Sequence, residues 1–141
     1  MPNYEIVNRK PTSEELIYLR KSVGWGIPDR ELLQKGLNNS VFGVCAITDG
    51  KVVGTVRVVG DGVTVFYIQD VIVAPEFQKK GIGMAMMEKI MCYIGNNACN
   101  GAVVGLMSAK GKEDFYKKFG FWERPNENFG AGMMQFWKTK E

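Results

Sequence analysis

The alternation of hydrophobic and polar positions divides the N-terminal part of the chain into one short strand and two helices. Residues 4–8 alternate in the way that is typical of a strand. Thr12 and Glu15 form a capping box, which predicts a helix that runs to Val23. A second helix is predicted over residues 29–35, and it should stop at the glycine that follows.

Two Asp-Gly pairs divide the next apolar stretch into three strands. Residues 41–48 and 52–59 are predicted to form an antiparallel hairpin, because the Asp-Gly pair at 49–50 accepts the positive backbone angles of a tight turn. A second Asp-Gly pair at 61–62 predicts a turn of the same kind. Residues 63–73 should therefore extend the hairpin into a three-stranded meander.

The C-terminal half is predicted to contain two helices and two further strands. Apolar residues that recur at helical spacing should face the sheet as core packing, and these are Met84, Met87, Ile90, Met91 and Ile94. Residues 103–107 should return parallel to the strand at 63–73 through a right-handed crossover. A helix over residues 112–119 and a final strand over residues 133–137 complete a mixed α/β sandwich.

Length and composition fit one compact domain. With 141 residues and 45% hydrophobic content, the chain can bury one core, and we expect a single domain over residues 1–141. The net charge of +3 comes with lysines spread over helices and tails, not with a basic stripe that has interleaved aromatics. We therefore expect no nucleic-acid partner.

Cysteine and histidine usage argues against several kinds of site. Cys45, Cys92 and Cys99 are widely spaced, so neither a disulfide framework nor a zinc site is indicated. The chain has no histidine, which removes the commonest metal ligand and the commonest general base. No stretch has the pattern of a signal peptide or a membrane span. We expect no metal, no membrane association and a cytoplasmic location.

The segment between the strand at 63–73 and the following helix is rich in glycine and lysine. It reads Gln78, Lys79, Lys80, Gly81, Ile82, Gly83 and Met84. N–H groups at a helix start lack intrahelical partners and carry the positive end of the helix dipole, and glycines let a phosphate approach the backbone. The segment therefore predicts an anion-binding cradle, and a plain turn at the helix start is the simpler alternative.

Spacing excludes two common phosphate-binding loops. The dinucleotide fingerprint needs a third glycine where this chain has Met86, and an acidic residue about twenty positions later, which the stretch 101–109 lacks. The nucleotide-triphosphate loop fails at residues 105–113. That stretch has one residue too many between its glycines, and Glu113 stands in place of Ser or Thr.

The remaining pattern, Gln-x-x-Gly-x-Gly, resembles the pyrophosphate-binding signature of the GNAT acetyltransferase superfamily. Further along, Phe115 and Tyr116 lie in a predicted short helix that ends at Gly120 and Phe121, and this resembles the second landmark of the superfamily. The resemblance covers nearly the whole chain and is weakest before residue 41 and after Arg124. It indicates a small, single-domain, bacterial-type member.

The resemblance implies a fold and a co-substrate. The fold is the GNAT acyl-CoA N-acyltransferase fold, an α/β (α+β) mixed sheet that is mostly antiparallel, has one parallel strand pair at the cofactor site and is flanked by helices. The co-substrate is acetyl-CoA, with Lys79 or Lys80 as the implied partner of its 3′-phosphate. The implied acetyl-CoA-binding residues are Val71, Ile72, Val73, Gln78, Lys79, Lys80, Gly81, Ile82, Gly83, Met84, Phe115 and Tyr116.

Tyr116 matches the tyrosine that, in many GNAT enzymes, protonates the departing thiolate. A phenol held against a sulfur anion in a dry site is a hydrogen-bond donor and an acid. Phe115 and Phe119 lie one turn apart and should be the buried pair, so that Tyr116 points off their face. The alternative is that Tyr116 is a packing residue.

The resemblance does not supply a general base. Several relatives use Glu or His on the strand before the loop, on the face that here carries Tyr67 and Gln69. Asp70 is the only carboxylate on this strand, but alternation places it on the opposite face, with Phe66, Ile68 and Ile72. We expect Asp70 to accept hydrogen bonds from backbone N–H groups. Catalysis by Asp70, or through a water held by Gln69, stays open.

The acceptor pocket is implied between the first two helices and the C-terminal strands. Its candidate residues are Trp25, Phe42, Arg57, Tyr67 and, in the segment 126–133, Met133. Trp25 lies in a glycine-flanked loop, where it either stacks on a substrate ring or fills the core.

The expected activity is transfer of an acetyl group from acetyl-CoA to a primary amine, by direct attack in a ternary complex. No cysteine has an activating context, which disfavours a covalent acetyl-enzyme. Small-molecule amines are favoured over protein N-termini or lysines, because the chain shows no appended peptide-binding element. A non-catalytic CoA-sensing module is the alternative from another class, and a homodimer is left open.

Overall fold

The computed structural model describes residues 3–140 of the chain. Its elements are β1 (Glu5–Val7), α1 (Ser13–Ser22), α2 (Arg30–Asn38), β2 (Phe42–Thr48), β3 (Lys51–Gly60), β4 (Val65–Val73), a 3-10 turn (Pro75–Phe77), α3 (Ile82–Asn97), β5 (Val103–Leu106) and α4 (Glu113–Lys117). The chain divides into two compact units, the first ending at Leu106 and the second beginning at Met107. None of the helices in the described residues is long and apolar enough to cross a membrane.

The five strands form one mixed sheet in the order β1-β2-β3-β4-β5. Neighbouring strands are antiparallel except β4 and β5, which run parallel from Val65 opposite Val103 to Ile68 opposite Leu106. Helix α3 connects these two strands, because a parallel pair requires a crossover. The predicted mixed α/β fold with one parallel strand pair is confirmed.

Helices cover both faces of the sheet. Helices α1 and α2 pack against one face through a buried cluster that contains Leu16, Leu19, Leu33, Leu37, Cys45 and Ile72. Helix α3 lies against β2, β3 and β4 on the other face. A Cβ added to Gly54 of β3 would come within 3.1 Å of the Met86 Cε of α3, so glycine allows this close approach. Cover on both faces explains why β3 is apolar over most of its length.

The residues of α3 that are buried against the sheet differ in part from the predicted ones. Met84 and Met91, which are predicted to face the sheet, are only partly buried. The prediction for the other three residues is confirmed, but Met86, which it leaves out, is fully buried. The buried residues of α3 are Ile82, Met86, Met87, Ile90 and Ile94.

Helix α1 begins where its capping box predicts and ends one residue before the predicted end at Val23. The Thr12 hydroxyl accepts a hydrogen bond from the Glu15 N–H at 3.2 Å, and the Glu15 carboxylate accepts one from the Thr12 N–H at 2.9 Å. Arg9 also donates to the Glu15 carboxylate at 2.9 Å, and this hydrogen bond lowers the pKa of Glu15. The helix ends at Ser22, with Val23 as its cap.

Helix α2 extends past its predicted stop. It begins as predicted after Asp29, whose carboxylate accepts a hydrogen bond from the first helical turn at 3.1 Å. It then continues through Gly36 to Asn38. Leu33 and Leu37 lie one turn apart and are both buried in the core. Their burial offsets the cost of a helical glycine, which is about 1 kcal/mol.

The two Asp-Gly pairs form different turns. Asp49 and Gly50 have φ angles of 50° and 73°, as the predicted hairpin turn requires. Asp61 instead accepts hydrogen bonds from the Thr64 hydroxyl and from the backbone N–H groups of residues 63–65, and these bonds lower its pKa. The carboxylate thus organises a longer loop, and β4 begins two residues later than predicted.

The second unit holds one short helix and a long irregular segment. Helix α4 has 5 residues and is shorter than the predicted helix at 112–119. Residues 121–140, all within the described part of the chain, form no helix or strand, so the predicted strand at 133–137 is wrong. Met133 and Trp137 are 88% and 78% exposed. An apolar pattern alone does not make a strand, because the backbone N–H and C=O groups of a strand need a pairing partner.

Candidate functional site

Strand β4 contains a bulge at Asp70. Arg57 of β3 lies opposite Gln69, whereas Thr55 lies opposite Ile72, so three residue steps on β4 match two on β3. Asp70 has a φ angle of 58°, which is uncommon for a residue other than glycine. This geometry is that of a β-bulge, which adds a residue to one strand and re-aims the side chains that follow.

The bulge changes the face on which Asp70 lies. Phe66 packs edge-on against Tyr93 of α3, so it belongs to the α3 face of the sheet. The Asp70 carboxylate contacts Arg20 of α1 and therefore lies on the opposite face. Gln69 faces the same way, because it pairs directly with Arg57. The prediction that places Asp70 with Phe66 and apart from Gln69 is wrong, because strict alternation takes no account of a bulge.

Two arginines hold the Asp70 carboxylate, and the three side chains are called here the Asp70 cluster. Asp70 accepts hydrogen bonds from Arg20 Nη1 at 2.6 Å and from Arg57 Nε at 2.8 Å, and its side chain is 0% exposed. The expectation of backbone N–H partners is therefore wrong. Arg57 also donates to Ser40 Oγ at 3.2 Å, and Arg20 to the Gly26 carbonyl at 2.7 Å. The cluster thus ties α1 to β3 and β4.

The C-terminal part of β4 has a free main-chain edge. Strand β5 pairs with β4 only as far as Ile68. Near the end of β4, Ala74 donates its N–H to the Val53 carbonyl of β3 at 2.8 Å. Because main-chain groups alternate in direction along a strand, those of Val71 and Val73 point away from β3. No strand among the described residues pairs with this edge.

The Gln78 side chain connects the loop that follows β4 to the end of that strand. Its amide donates to the Val73 carbonyl at 2.8 Å. Lys79 and Gly81 have φ angles of 64° and 85°, and Gly81 caps the start of α3. A Cβ added to Gly81 would find no atom of the described residues within 4 Å. The loop therefore presents bare backbone to open space.

The N–H groups of this loop are available to an anion. Within residues 3–140, no protein acceptor binds the N–H groups of residues 79–84, and the first bond of α3 runs from the Ala85 N–H to the Gly81 carbonyl at 3.0 Å. Lys79 and Lys80 are exposed beside them. Free N–H groups, the positive end of the α3 dipole and two ammonium groups fit a phosphate ligand.

Tyr116 is the most buried aromatic residue of α4. It is 8% exposed, and its ring packs edge-on against Phe115 and Phe121 with centroids 5.0 Å and 6.4 Å apart. Phe115 and Phe119, which are predicted to be the buried pair, are only partly buried. The predicted orientation is therefore wrong. Phe121 follows the helix and packs against Tyr116. Because Phe121 lies outside the helix, the helical spacing used for the prediction does not include this contact.

The Tyr116 hydroxyl is open although its ring is enclosed. No described residue forms a hydrogen bond with this hydroxyl, and no buried polar side-chain atom in residues 3–140 lacks a partner. The hydroxyl therefore reaches solvent. Burial of the residue raises the pKa of Tyr116, so the phenol keeps its proton well into the alkaline range. Such a group is available as a proton donor.

Phe42 lies on a different face from Arg57. The Phe42 ring stacks on Tyr93 of α3, with centroids 4.1 Å apart and planes 3° from parallel. Arg57 pairs with Gly43, the residue after Phe42, so it points to the opposite face, where α1 and α2 pack. The two side chains therefore lie on opposite faces of the sheet, and their shared role in an acceptor site stays a prediction.

The remaining acceptor candidates have separate positions. Trp25 is 36% exposed, and the guanidinium group of Arg20 lies 5.7 Å from the centroid of its ring. Trp25 is thus in contact with the Asp70 cluster. Tyr67 is partly buried on β4, on the same face as Gln69. Met133 belongs to the second unit.

Sequence reasoning misses Arg20, which belongs to no motif. The helical spacing of α1 could have indicated that Arg20 is partly buried and has a partner. Arg20 lies one turn after Leu16 and next to Leu19, both of which are fully buried. An arginine on the buried stripe of a helix needs a partner, which here is Asp70.

A mixed sheet with one parallel strand pair and a glycine-containing loop that leads from the first of these strands into a helix is typical of the GNAT acyltransferase fold. The family model for the acetyltransferase (GNAT) domain matches residues 39–123. The chain is 32% identical to a probable acetyltransferase of unknown function from meticillin-resistant Staphylococcus aureus, over 94% of this chain and 99% of that one, with a TM-score of 0.85. It therefore belongs to the GNAT acetyltransferase family.

Two further solved structures have the same fold. One is a GNAT-family acetyltransferase from Streptococcus pneumoniae, 30% identical over 98% of this chain and 99% of that one, with a TM-score of 0.76. The other is AAC(6')-Iy in complex with the bisubstrate analogue CoA-S-monomethyl-acetylneamine, 17% identical over 98% of this chain and 99% of that one, with a TM-score of 0.65. A search of curated proteins found no match.

Proposed function

We propose that this chain is an acetyl-CoA-dependent N-acetyltransferase that acts on the primary amine of a small molecule. The observation that carries the proposal is the loop at residues 79–84, whose N–H groups have no acceptor among the described residues. Two of its residues, Lys79 and Gly81, have left-handed φ angles. Membership of the acetyltransferase family indicates that the transferred group is an acetyl group.

The residues of the first unit fit the successive parts of acetyl-CoA. The free edge offers the N–H and C=O groups of Val71 and the N–H of Val73 to the amides of the pantetheine chain, as another strand would. Ile72, which pairs with β3, contributes to the strand itself. The loop holds the pyrophosphate, and Lys79 or Lys80 is the partner of the 3′-phosphate. Gln78 acts indirectly, because its side chain holds the Val73 carbonyl.

The chemical step needs a proton donor and a route for the proton of the amine. The amine nitrogen attacks the thioester carbon, the carbon–sulfur bond breaks, and the thiolate takes the Tyr116 proton. The proton lost by the amine passes to water, and Gln69 is a candidate to hold that water. Asp70 is a poor candidate for the base, because both of its carboxylate oxygens are bound by arginines. We assign it a positioning role.

A covalent acetyl-enzyme is not part of the proposal. Cys45 is buried, and burial raises its pKa to about 11, so little thiolate forms at neutral pH. Cys92 lies on α3 and Cys99 follows it, and both are exposed. Direct attack by the amine in a ternary complex therefore accounts better for the residues present.

Two further parts of the proposal concern assembly. We propose that residues 1–141 act as one acetyltransferase domain, which the match at residues 39–123 supports because it spans the end of the first unit and the start of the second. We also propose that the chain forms a homodimer. Exposed apolar residues near the C-terminus support this, since apolar surface of this kind marks a contact site.

Release of free CoA thiol across a panel of amines tests the proposed activity. Thiol release that depends on both acetyl-CoA and one class of small amine is the expected result. Binding of acetyl-CoA without thiol release from any amine, peptide N-terminus or lysine peptide would favour a CoA-sensing module. Thiol release only with peptides would indicate that the acceptors are proteins, with the same acetyl-transfer reaction.

A further inference from the structure

The Asp70 cluster carries more positive than negative charge. Two guanidinium groups share one carboxylate, and the side chains of Arg20, Arg57 and Asp70 are 17%, 14% and 0% exposed. Lys10 adds an ammonium group nearby, since its Nζ donates to the Ser40 carbonyl at 3.1 Å and the Ser40 hydroxyl binds Arg57. One guanidinium is enough to neutralise Asp70. The other leaves a surplus charge that salt screens poorly, because the groups are largely buried.

Both guanidinium groups keep donors that the protein does not use. Arg20 donates through Nε and Nη1, and Arg57 also donates through Nε and Nη1. Within the described residues, neither Nη2 has a protein acceptor. Because no buried polar side-chain atom in residues 3–140 lacks a partner, both Nη2 atoms reach solvent. The cluster therefore presents two fixed, accessible donors with net positive charge.

We propose that the Asp70 cluster binds an anionic group of the acceptor, so that the substrate is an amine that also carries a carboxylate or a phosphate. This inference rests on the proposed function, because it names the class of acceptor. Guanidinium groups recognise carboxylate and phosphate oxygens through paired hydrogen bonds. Asp70 holds both arginines in place before the substrate arrives, which lowers the entropy lost on binding. Trp25, in contact with Arg20, offers an apolar surface to the substrate's carbon skeleton.

Matched pairs of amines test this inference. β-Alanine is compared with β-alaninamide, and O-phosphoethanolamine with ethanolamine, so that the two pairs separate a carboxylate from a phosphate. Rates of thiol release are corrected for the fraction of free amine at each pH. A charge-assisted hydrogen bond contributes about 1.5–3 kcal/mol, so kcat/KM should be about ten- to hundredfold higher for the anionic member of one pair. The preference should weaken as salt is raised.

Arg57→Gln identifies the group that recognises the anion. This change leaves Asp70 paired with Arg20, so the buried carboxylate keeps a partner and the protein should fold. The preference for the anionic member should fall to near one, mainly through KM, because the surplus positive charge of the cluster is removed. Arg30→Gln is the control, because Arg30 is 62% exposed and its only ion pair among the described residues is with Glu14 at the surface. It should retain the wild-type preference.

The outcomes separate this inference from the proposed function. Equal kcat/KM for both members of each pair in the wild type would overturn the inference, and so would a preference that survives in a folded Arg57→Gln protein. Absence of thiol release with every amine would contradict the proposed function instead. Calorimetric titration of the same pairs into the protein then decides whether the cluster binds anions. If the Arg57→Gln protein does not fold, the comparison of the amine pairs with the wild-type protein decides whether the inference holds.

Discussion

Gly81→Glu should remove acetyl-CoA binding and leave the fold intact. Gly81 has a φ angle of 85°, and a non-glycine residue in this left-handed region costs about 1–2 kcal/mol. A loss of this size lowers Tm by roughly 4–8 °C, at about 4 °C per kcal/mol. An added Cβ meets no protein atom within 4 Å, so no clash adds to the cost. Circular dichroism should show a folded protein at room temperature.

The effect on binding is larger and has an electrostatic cause. The introduced side chain begins in the open space where a phosphate would approach the loop. A carboxylate about 4 Å from a phosphate charge costs about 4 kcal/mol at an effective dielectric constant of about 20. Since each 1.4 kcal/mol is about tenfold in affinity, binding should weaken by about 700-fold. Gly81→Ala adds the same strain without the charge, so it should weaken binding much less.

Gly101→Glu is the matched control for this measurement. Gly101 has a φ angle of 86°, and a Cβ added there also meets nothing within 4 Å. The substitution brings the same backbone strain and the same charge, but it lies in the turn before β5, outside the loop. Calorimetry should find wild-type affinity for acetyl-CoA. The assignment of the loop fails if folded Gly81→Glu binds like the wild type, or if both variants lose binding equally.

Three further predictions follow from the site and the surface. Tyr116→Phe should lower kcat by about tenfold to a thousandfold with acetyl-CoA binding nearly unchanged. Because burial raises the pKa of Tyr116, wild-type kcat/KM should keep rising above neutral pH until the phenol loses its proton. An unchanged kcat, with chemistry rate-limiting, would show that Tyr116 is a packing residue. Asp70→Asn leaves two guanidinium groups without their shared carboxylate and should cost about 3 kcal/mol in the free energy of unfolding, measured by urea denaturation, while the shape of the pH profile is retained. Collapse of activity in Asp70→Asn at wild-type stability would make Asp70 the base. Trp137→Glu, at a residue 78% exposed, should shift a dimer toward monomer in analytical ultracentrifugation, and a wild-type monomer would contradict the proposed assembly.

Features that depend on neighbouring residues follow from the sequence alone. The capping box at Thr12 and Glu15 and the turn at 49–50 are present as predicted, because each is decided by side chains and backbone angles within a few residues. The loop before α3 is of the same kind. Its glycines and the start of a helix are both visible in the sequence, and they produce the free N–H groups by themselves.

Features that depend on distant residues required the tertiary structure. Asp70 lies on the α1 face only because pairing with β3 admits an extra residue at the bulge, and no local pattern marks that position. Its partner Arg20 is separated from it by 50 positions, so neither residue predicts the other. The apolar stretch at 133–137 has the residues of a strand but no pairing strand among the described residues. Local propensity is set by each residue and its neighbours, whereas register and ion pairing are set by which surfaces the folded chain brings together.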